Sequence, residues 1–425
     1  MTRIGFAYNQ KPESNPLHLT DAESTRTEDE PSSRRRKWTR RPRVAEPAPG
    51  SDQGNSERRA PSAETRSLSE HPAHLTTVND EYAEWDLSST IDAVEHALEP
   101  LGEVIRLEAV GDFPERLRLA RPDIVYNIAE GFHGANREAH VPAICEFYGL
   151  PYSGSDPWTL SLCLDKARTK EFLAYNRVPT APFVLVRAEH EVSSLMERVT
   201  TRRLRGVNGR LRLPLFVKPV HEGSSKGITE RNFCRTPAEL AEVTLFLLEH
   251  YKQPVLVEEY LPGAEFTCAV LGNGAGARVL PIVGMRFDAL PEGSIPVYGF
   301  EAKWLWDRPE DPLQIFECPA QIDSALQSRI EQVTLAAYYV LGCRDWSRID
   351  IRLDADGVPN IVEVNPLPGI LPNAQDNSCF PKAARAAGMT YDELIQASLR
   401  HAAERQNIRL GGKGARRTRR TAALG

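Results

Sequence analysis

The amino-acid sequence predicts an α/β protein, and three stretches carry that expectation. Over residues 1–160 short apolar runs alternate with helical stretches. Between 213 and 271 three strands accompany one helix, and after 322 a helix, two strands and a final helix follow one another. Such alternation packs helices against a sheet, parallel where strand and helix strictly alternate.

Taken in order, residues 3–8 (RIGFAY) read as a short buried strand. Ser88 or Ser89 is the expected N-cap of a helix in which Ile91, Val94 and Leu98 recur at i, i+3 and i+7. Residues 104–110 and 123–128 are strands, the first following Gly102 and the second Pro122. A helix over about 138–148 leads into a turn-rich strand at 149–155, and a helix at 165–175 precedes the strand FVLVRA. Strands LPLFVKPV, PVLVEEYL and FTCAVLGN follow with a helix near 237–250. A helix at 322–341, strands RIDIRLD and PNIVEVN, and a terminal helix at 390–405 complete the pattern.

The pattern is broken early. Residues 11–75 hold eight prolines, one aromatic residue (Trp38), and 12 basic against 11 acidic side chains. That composition buries too little apolar surface to offset the entropy of ordering, so a disordered insertion is expected over 11–79. Residues 409–425 carry six basic residues and no acid, an expected disordered basic tail. The 425 residues have a net charge of −6, so the part outside that tail is more acidic still. An acidic body disfavours specific nucleic-acid binding, and the basic runs at 34–41 and 414–420 read as solvated tails. Mean hydropathy is −0.40, and no run of about 18 apolar residues exists to span a membrane. MTRIGFAYNQ lacks the apolar stretch of a secretory signal. Seven scattered cysteines without a C-x-x-C pair exclude a disulfide framework and a zinc finger. A reduced, cytoplasmic protein is expected.

Three motifs carry chemistry. In LFVKPVHEGSSKG (215–227) a strand bearing Lys218 runs into a loop with Gly223, Ser224, Ser225 and Gly227. Glycine lets backbone N–H groups approach phosphate oxygens, and hydroxyls add donors. The lysine precedes the glycines, which is not the P-loop order; alone, such a loop is as often structural. In VLVEEYLPGAEF (255–266), Glu258 and Glu265 flank a Pro-Gly turn. A strand-end carboxylate with main-chain groups suits an adenine amino group, and a second carboxylate suits ribose hydroxyls; two solvated surface acids are the plainer alternative. In SRIDIRLDADGVPNIVEVNPLPG (347–369) two strands joined by an ADG turn form a hairpin. Period 2 sets Arg348 and Asp350 on one face of the first strand, and Glu363 and Asn365 on one face of the second. Two carboxylates and an amide oxygen suit magnesium, and Arg348 beside them suits developing negative charge.

Together with GLPYSGSDPWTLSLCLDKARTK (149–170), these blocks resemble the ATP-grasp superfamily and, within it, the D-alanine–D-alanine ligase family, over roughly residues 80–405. The resemblance implies an ATP-grasp fold: an N-terminal parallel α/β domain of residues 1–10 and 80–163 interrupted by the 11–79 insertion, an α+β lid domain over 164–275, a catalytic domain over 276–408, and the tail 409–425. It implies ATP and two magnesium ions, with manganese as a substitute, and small-molecule amino-acid substrates, with no membrane or specific nucleic-acid partner and a homodimer as the assembly. By position, Lys166 and Lys218 match the lysines at the phosphates and base region. Glu258 and Leu261 match the adenine contacts, and Glu265 the ribose acid. Ser224 matches the loop serine that helps position substrate. Lys303 matches the mobile-loop lysine that reaches the γ-phosphate, and Arg348 the residue stabilising acyl-phosphate and tetrahedral species. Asp350, Glu363 and Asn365 match the metal ligands, and Gly369 and Ser378 the contacts to the second amino acid.

The departures from the family pattern lie in the amino-acid pockets. YAEWDLSS (82–89) resumes after the insertion and makes Glu84 the expected anchor for the first amino group. Glu130-Gly131 stands where the family has His-Gly, and Arg137 follows in a longer loop as an expected substrate contact. Trp304 occupies the position usually held by tyrosine after the lysine, and the loop between Gly369 and Ser378 is longer than usual. The expectation is a carboxylate–amine ligase acting through an acyl phosphate, with Glu130 and Arg137 forming a charge pair that favours a substrate larger or more polar than alanine. A ligase for a different amino-acid pair and a silent nucleotide-binding scaffold stay open; the full Arg348, Asp350, Glu363, Asn365 set argues against the scaffold.

Overall fold

Strand β1 (Arg3–Tyr8) is buried from Ile4 onward and pairs in parallel with β2 (Glu103–Glu108) and β3 (Ile124–Asn127), in the order β2-β1-β3. The computed structural model describes residues 1–12, 82–307 and 313–411, the side chains of Trp304 and Leu305 apart. Nearly all of the expected insertion and tail, and the Trp304 side chain, lie outside the described residues.

Helix α1 (Ser88–Leu98) begins one residue earlier than the serine caps predict. Its N-cap position is Leu87, which makes no side-chain capping bond. The reason lies just upstream: Lys11 N donates to the Asp86 carbonyl (2.8 Å) and Asp86 N to that of Asn9 (3.0 Å), holding the chain extended up to Leu87. Helix α2 (Phe113–Ala120) and α3 (His140–Tyr148) follow. The expected strand at 149–155 is reduced to a single parallel bridge between Val125 and Tyr152.

Helices α4 (Pro157–Leu164) and α5 (Lys166–Tyr175) are each capped by an aspartate: Asp156 accepts from Thr159 N and Asp165 from Arg168 N. Past them, β4 (Phe183–Val186), β5 (Leu215–Pro219), β6 (Phe233–Cys234) and β7 (Val255–Glu259) form an antiparallel sheet in the order β4-β7-β5-β6. The sheet is covered by α6 (His190–Thr200) and α7 (Pro237–Tyr251), whose Thr236 and Glu239 make a reciprocal capping box.

Strand β8 (Glu265–Leu271), on the lid side of the boundary expected at 275, pairs instead into the C-terminal sheet. The antiparallel order there is β10-β9-β8-β11-β12, from β9 (Val283–Met285), β10 (Phe316–Glu317), β11 (Trp346–Leu353) and β12 (Pro359–Asn365). The β11–β12 turn is closed by Asp354, whose Oδ1 accepts from Asp356 N and Val358 N, both at 2.9 Å. Helix α8 (Ser324–Val340) backs this sheet, followed by α9 (Cys379–Ala386) and α10 (Tyr391–Arg405). The largest core joins the first strand to the last helix: Ile4, Phe6, Ile91 and Tyr126 pack with Leu394, Ile395 and Leu399. Among the described residues no helix is long and apolar enough to cross a membrane.

Candidate active site

One cavity collects most of the predicted residues: Glu84, Lys166, Lys218, Ser224, Glu258, Leu261, Glu265, Lys303, Arg348, Asp350, Glu363, Asn365, Gly369 and Ser378 line it. Arg137 does not; it lies behind the wall, 7% exposed.

At one end the lysines meet the acids. Helix period sets Lys166 and Lys170 on one face of α5, and antiparallel pairing brings β5 beside β7. Lys170 Nζ lies 2.8 Å from Glu258 Oε2, and Lys218 Nζ 2.7 Å from Glu258 Oε1. Burial alone would raise the Glu258 carboxyl, but the two ammonium groups hold it at about 2. Both Glu258 oxygens are thus committed to lysines, so its side chain organises the pocket. Glu265 accepts from Arg352 Nη1 at 2.7 Å, directly across the β8–β11 pair. Arg352 also donates to the Tyr260 hydroxyl at 2.6 Å and lies over that ring.

The hairpin brings the two expected faces together: Arg348 opposes Asn365 and Asp350 opposes Glu363, with a bulge after Asp350. Asp350 Oδ2 accepts from Arg348 Nη2 at 2.9 Å, and its Oδ1 from Thr267 Oγ1 at 2.9 Å. Glu363 Oε1 lies 2.8 Å from Lys166 Nζ; burial opposes its charge, yet Lys166 and Lys218 hold the carboxyl below its usual range. Two carboxylates and an amide on adjacent strands fit a hard divalent cation. The buried Arg348 Nε has no hydrogen-bond partner among the described residues, which leaves a donor for an anionic ligand.

The glycine-rich loop closes over this hairpin. Ser224 and Ser225 both adopt left-handed backbone, at φ 51° and 61°. Lys166 ties the loop to the hairpin, donating to the Glu222 carbonyl at 2.5 Å while it pairs with Glu363. Gly223 N donates to Glu84 Oε1 at 3.0 Å. A methyl at Gly223 would sit 2.3 Å from that oxygen, so the close approach requires glycine. Glu84 also accepts from Arg137 Nη2, at 2.8 and 3.0 Å to its two oxygens, and from Lys226 Nζ at 3.3 Å. The expected Glu130–Arg137 pair is therefore not made. Arg137 turns to Glu84 and to the His221 carbonyl (2.9 Å), because the loop packs against it.

Beyond Glu84 the wall is acidic. Asp86, Glu130 and Glu138 line the cavity, and none makes a side-chain hydrogen bond or ion pair among the described residues. Burial raises Asp86 and Glu138 to about 7 each, and burial with the Glu138 charge holds Glu130 well above the usual carboxylate range. Opposite, the Ser378 hydroxyl accepts from Leu371 N (3.2 Å) and donates to the Gly369 carbonyl (3.3 Å), bringing these two expected contacts together. Lys303 stands on a helical turn, Ala302–Trp306, and burial with the nearby Arg348 charge lowers it to about 8.

The motif reading missed Lys170, Glu222, Lys226 and Arg352. Lys170 was reachable, since it stands one helical turn beyond Lys166. Glu222 and Lys226 pair with each other four residues apart in the glycine-rich loop, and Arg352 acquires its partners only through tertiary pairing.

A lysine-lined cleft between an antiparallel lid and a hairpin of arginine and oxygen ligands defines an ATP-grasp enzyme. Residues 172–400 match the family model described as D-ala D-ala ligase C-terminus. The chain is 35% identical to uncharacterized protein y4sG of Sinorhizobium fredii, over 65% of this chain and 73% of that protein. It is also 35% identical to a D-alanine–D-alanine ligase of Bordetella petrii, over 66% of this chain and 76% of that one. The solved VanG D-Ala:D-Ser ligase of Enterococcus faecalis superposes with a TM-score of 0.52 at 25% identity, covering 66% of this chain and 73% of that chain. The chain belongs to the D-alanine–D-alanine ligase family. It is an ATP-dependent ligase.

Proposed function

We propose that this protein joins two D-amino acids in the cytoplasm, with D-alanine as the reference substrate and peptidoglycan precursors as the destination. The supporting observation is the complete Arg348, Asp350, Glu363, Asn365 hairpin facing Lys166 and Lys218 across one cavity.

In this reading the first amino acid's carboxylate takes the γ-phosphoryl group of ATP, and the amine of the second displaces phosphate from the acyl carbon. Asp350, Glu363 and Asn365 would hold magnesium, which when bound would supply charge neutralisation for phosphoryl transfer. Lys218 and Lys303 face the phosphates. Arg348 stabilises negative charge as it develops at the acyl carbon's oxygen. The Ser224 loop and the Lys303 turn exclude water, which would otherwise hydrolyse the acyl phosphate. The test is a screen of ATP consumption and peptide formation across D- and L-amino-acid pairs. Turnover with D-amino acids supports the reading, and ATP binding without any peptide product refutes it.

A second reading concerns the first amino acid. Glu84 is occupied by four hydrogen bonds, and a carboxylate offers about four acceptor sites. Three further carboxyls on the same wall have no partner among the described residues. That environment favours a substrate with more polar or larger groups than a methyl. Comparing kcat/KM for D-alanine alone with mixed pairs decides it: D-alanine alone as best substrate ends this second reading and leaves the first intact.

A further inference from the structure

Resting on the ligase reading, we propose that Arg137 and Lys226 are positioning residues. With Glu84 and Glu222 they form a ring, three ion pairs closed through the main chain by the Arg137 bond to the His221 carbonyl, that holds the Ser224–Ser225 loop in its water-excluding shape.

The ring is built from three separate segments. Arg137 grips both Glu84 oxygens, Lys226 lies 3.3 Å from Glu84 Oε2 and 2.8 Å from Glu222 Oε2, and Gly223 N caps Glu84 Oε1. Glu84, Arg137 and Lys226 side chains are each no more than 9% exposed. Burial opposes charge on Lys226, but Glu84 and Glu222 outweigh it and keep the ammonium above its usual range. Two cations and two anions balance, so the ring closes without a substrate charge. It is braced from outside, because Gln253 donates to Glu222 Oε1 at 2.7 Å while its own carbonyl oxygen accepts from His221 N at 2.7 Å.

The ring has a local task. Left-handed backbone crowds a side chain against the following carbonyl, and here two adjacent serines adopt it. Only contacts on either side of such a loop keep it in place. The ring fixes residues 222, 223 and 226, which bracket both serines. The Glu222 carbonyl then passes the constraint to Lys166 and so to Glu363. Loop position and hairpin position are therefore mechanically joined.

Loosening the ring admits water to the acyl phosphate. Water's oxygen then bonds to the acyl carbon, phosphate leaves with the electrons of the broken C–O bond, and a proton passes to solvent. The net reaction is hydrolysis of ATP with the amino acid unchanged. The readout is the ratio of ADP released to peptide formed by the full chain with ATP, magnesium and D-alanine, or the better pair from the screen above. Wild type is expected near one; absence of peptide from wild type would refute the ligase reading, separately from the ring. Lys226→Met and Arg137→Met should raise the ratio several-fold and lower kcat about tenfold or more, with KM for ATP changed less than about threefold. Lys226→Arg should restore coupling. Gly223→Ala, which drives a methyl against Glu84, should reproduce the uncoupling without removing any charge. Should Lys226→Met fail to fold, Gly223→Ala and Lys226→Arg still decide: a wild-type ratio in Gly223→Ala, or uncoupling in Lys226→Arg as large as in Arg137→Met, overturns the proposal.

Discussion

The two ends of the cavity are built on different principles. At the end proposed for the nucleotide four carboxylates have a cation in place: Glu258 between Lys170 and Lys218, Glu265 on Arg352, Glu363 on Lys166, Asp350 on Arg348. At the end proposed for the amino acids Glu84 pairs with Arg137 and Lys226, and Glu222 with Lys226, while Asp86, Glu130 and Glu138 have no ion-pair partner among the described residues. The first end is preorganised, so its charges need no rearrangement when a polyanion arrives. The second end is left electrostatically incomplete, and burial shifts its carboxyls towards the protonated form.

The sharpest way to break this comparison is at the hairpin. Glu363→Gln removes an anionic ligand and the partner of Lys166 together, and turnover should fall about a thousandfold with folding intact. Near-normal kcat in a folded variant would show that the nucleotide end is not organised around that carboxylate. Glu258→Ala strands two buried lysines and should cost about 3–5 kcal/mol in denaturant unfolding; a loss below about 1 kcal/mol would mean the lysines are already solvated.

The amino-acid end is sharpened by pH. Glu138 titrates near 7 in the folded chain against 4.5 for its usual value, so the folded state binds the extra proton. Its contribution to stability is present below about 4.5 and is lost as pH rises towards 7. Glu138→Gln should flatten the ligand-free stability profile across that window by about 1–2 kcal/mol, as thermal or urea unfolding at stepped pH would read. Lys303, lowered to about 8, loses its charge above that pH, so kcat/KM for ATP should decline on the alkaline side. Lys303→Arg should extend the plateau upward; an unchanged alkaline limb assigns it to another group. The smallest effect is expected from replacing residues 13–79 by a short linker. Lys11 and Asn9 already pair with Asp86, so the flanks meet without it, and turnover should stay within about twofold.

What the sequence made legible follows the same division. The end proposed for the nucleotide is written in local periods: alternation put Arg348 and Asp350 on one face of the first strand and Glu363 and Asn365 on one face of the second, and the ADG turn marked the hairpin that joins them. The β-strand at 255–259 and the helix at 166–175 were equally plain, because their apolar spacing or capping aspartate is local. The amino-acid end depends on meetings between segments some 50 to 140 residues apart, such as Arg137 with Glu84 and Lys226 with Glu84. No periodicity encodes those, so the acid paired with Arg137 was misjudged. The α1 start was misplaced for a related reason: a cross-chain backbone pairing at Asp86, not a serine hydroxyl, sets where the helix begins.

The placement of β1 bears on how the molecule is made. Its first six-residue strand pairs with partners about 100 and 120 positions away, and the face of the sheet beside it is sealed by α10, the last described helix. Tyr126 and Ser398 share a buried hydrogen bond at 2.9 Å, and Gln396 reaches back to the Ala97 carbonyl. On the ribosome, β1 emerges about 100 residues before either strand it needs, and the cover for that sheet arrives only with residues 391–405. Contacts so distant in sequence slow folding and leave the nascent β1 strand exposed to wrong pairings. A chain stopped before residue 391 should therefore keep the lid but lose the β1 sheet, so the emergence of α10 is the event that closes this part of the fold.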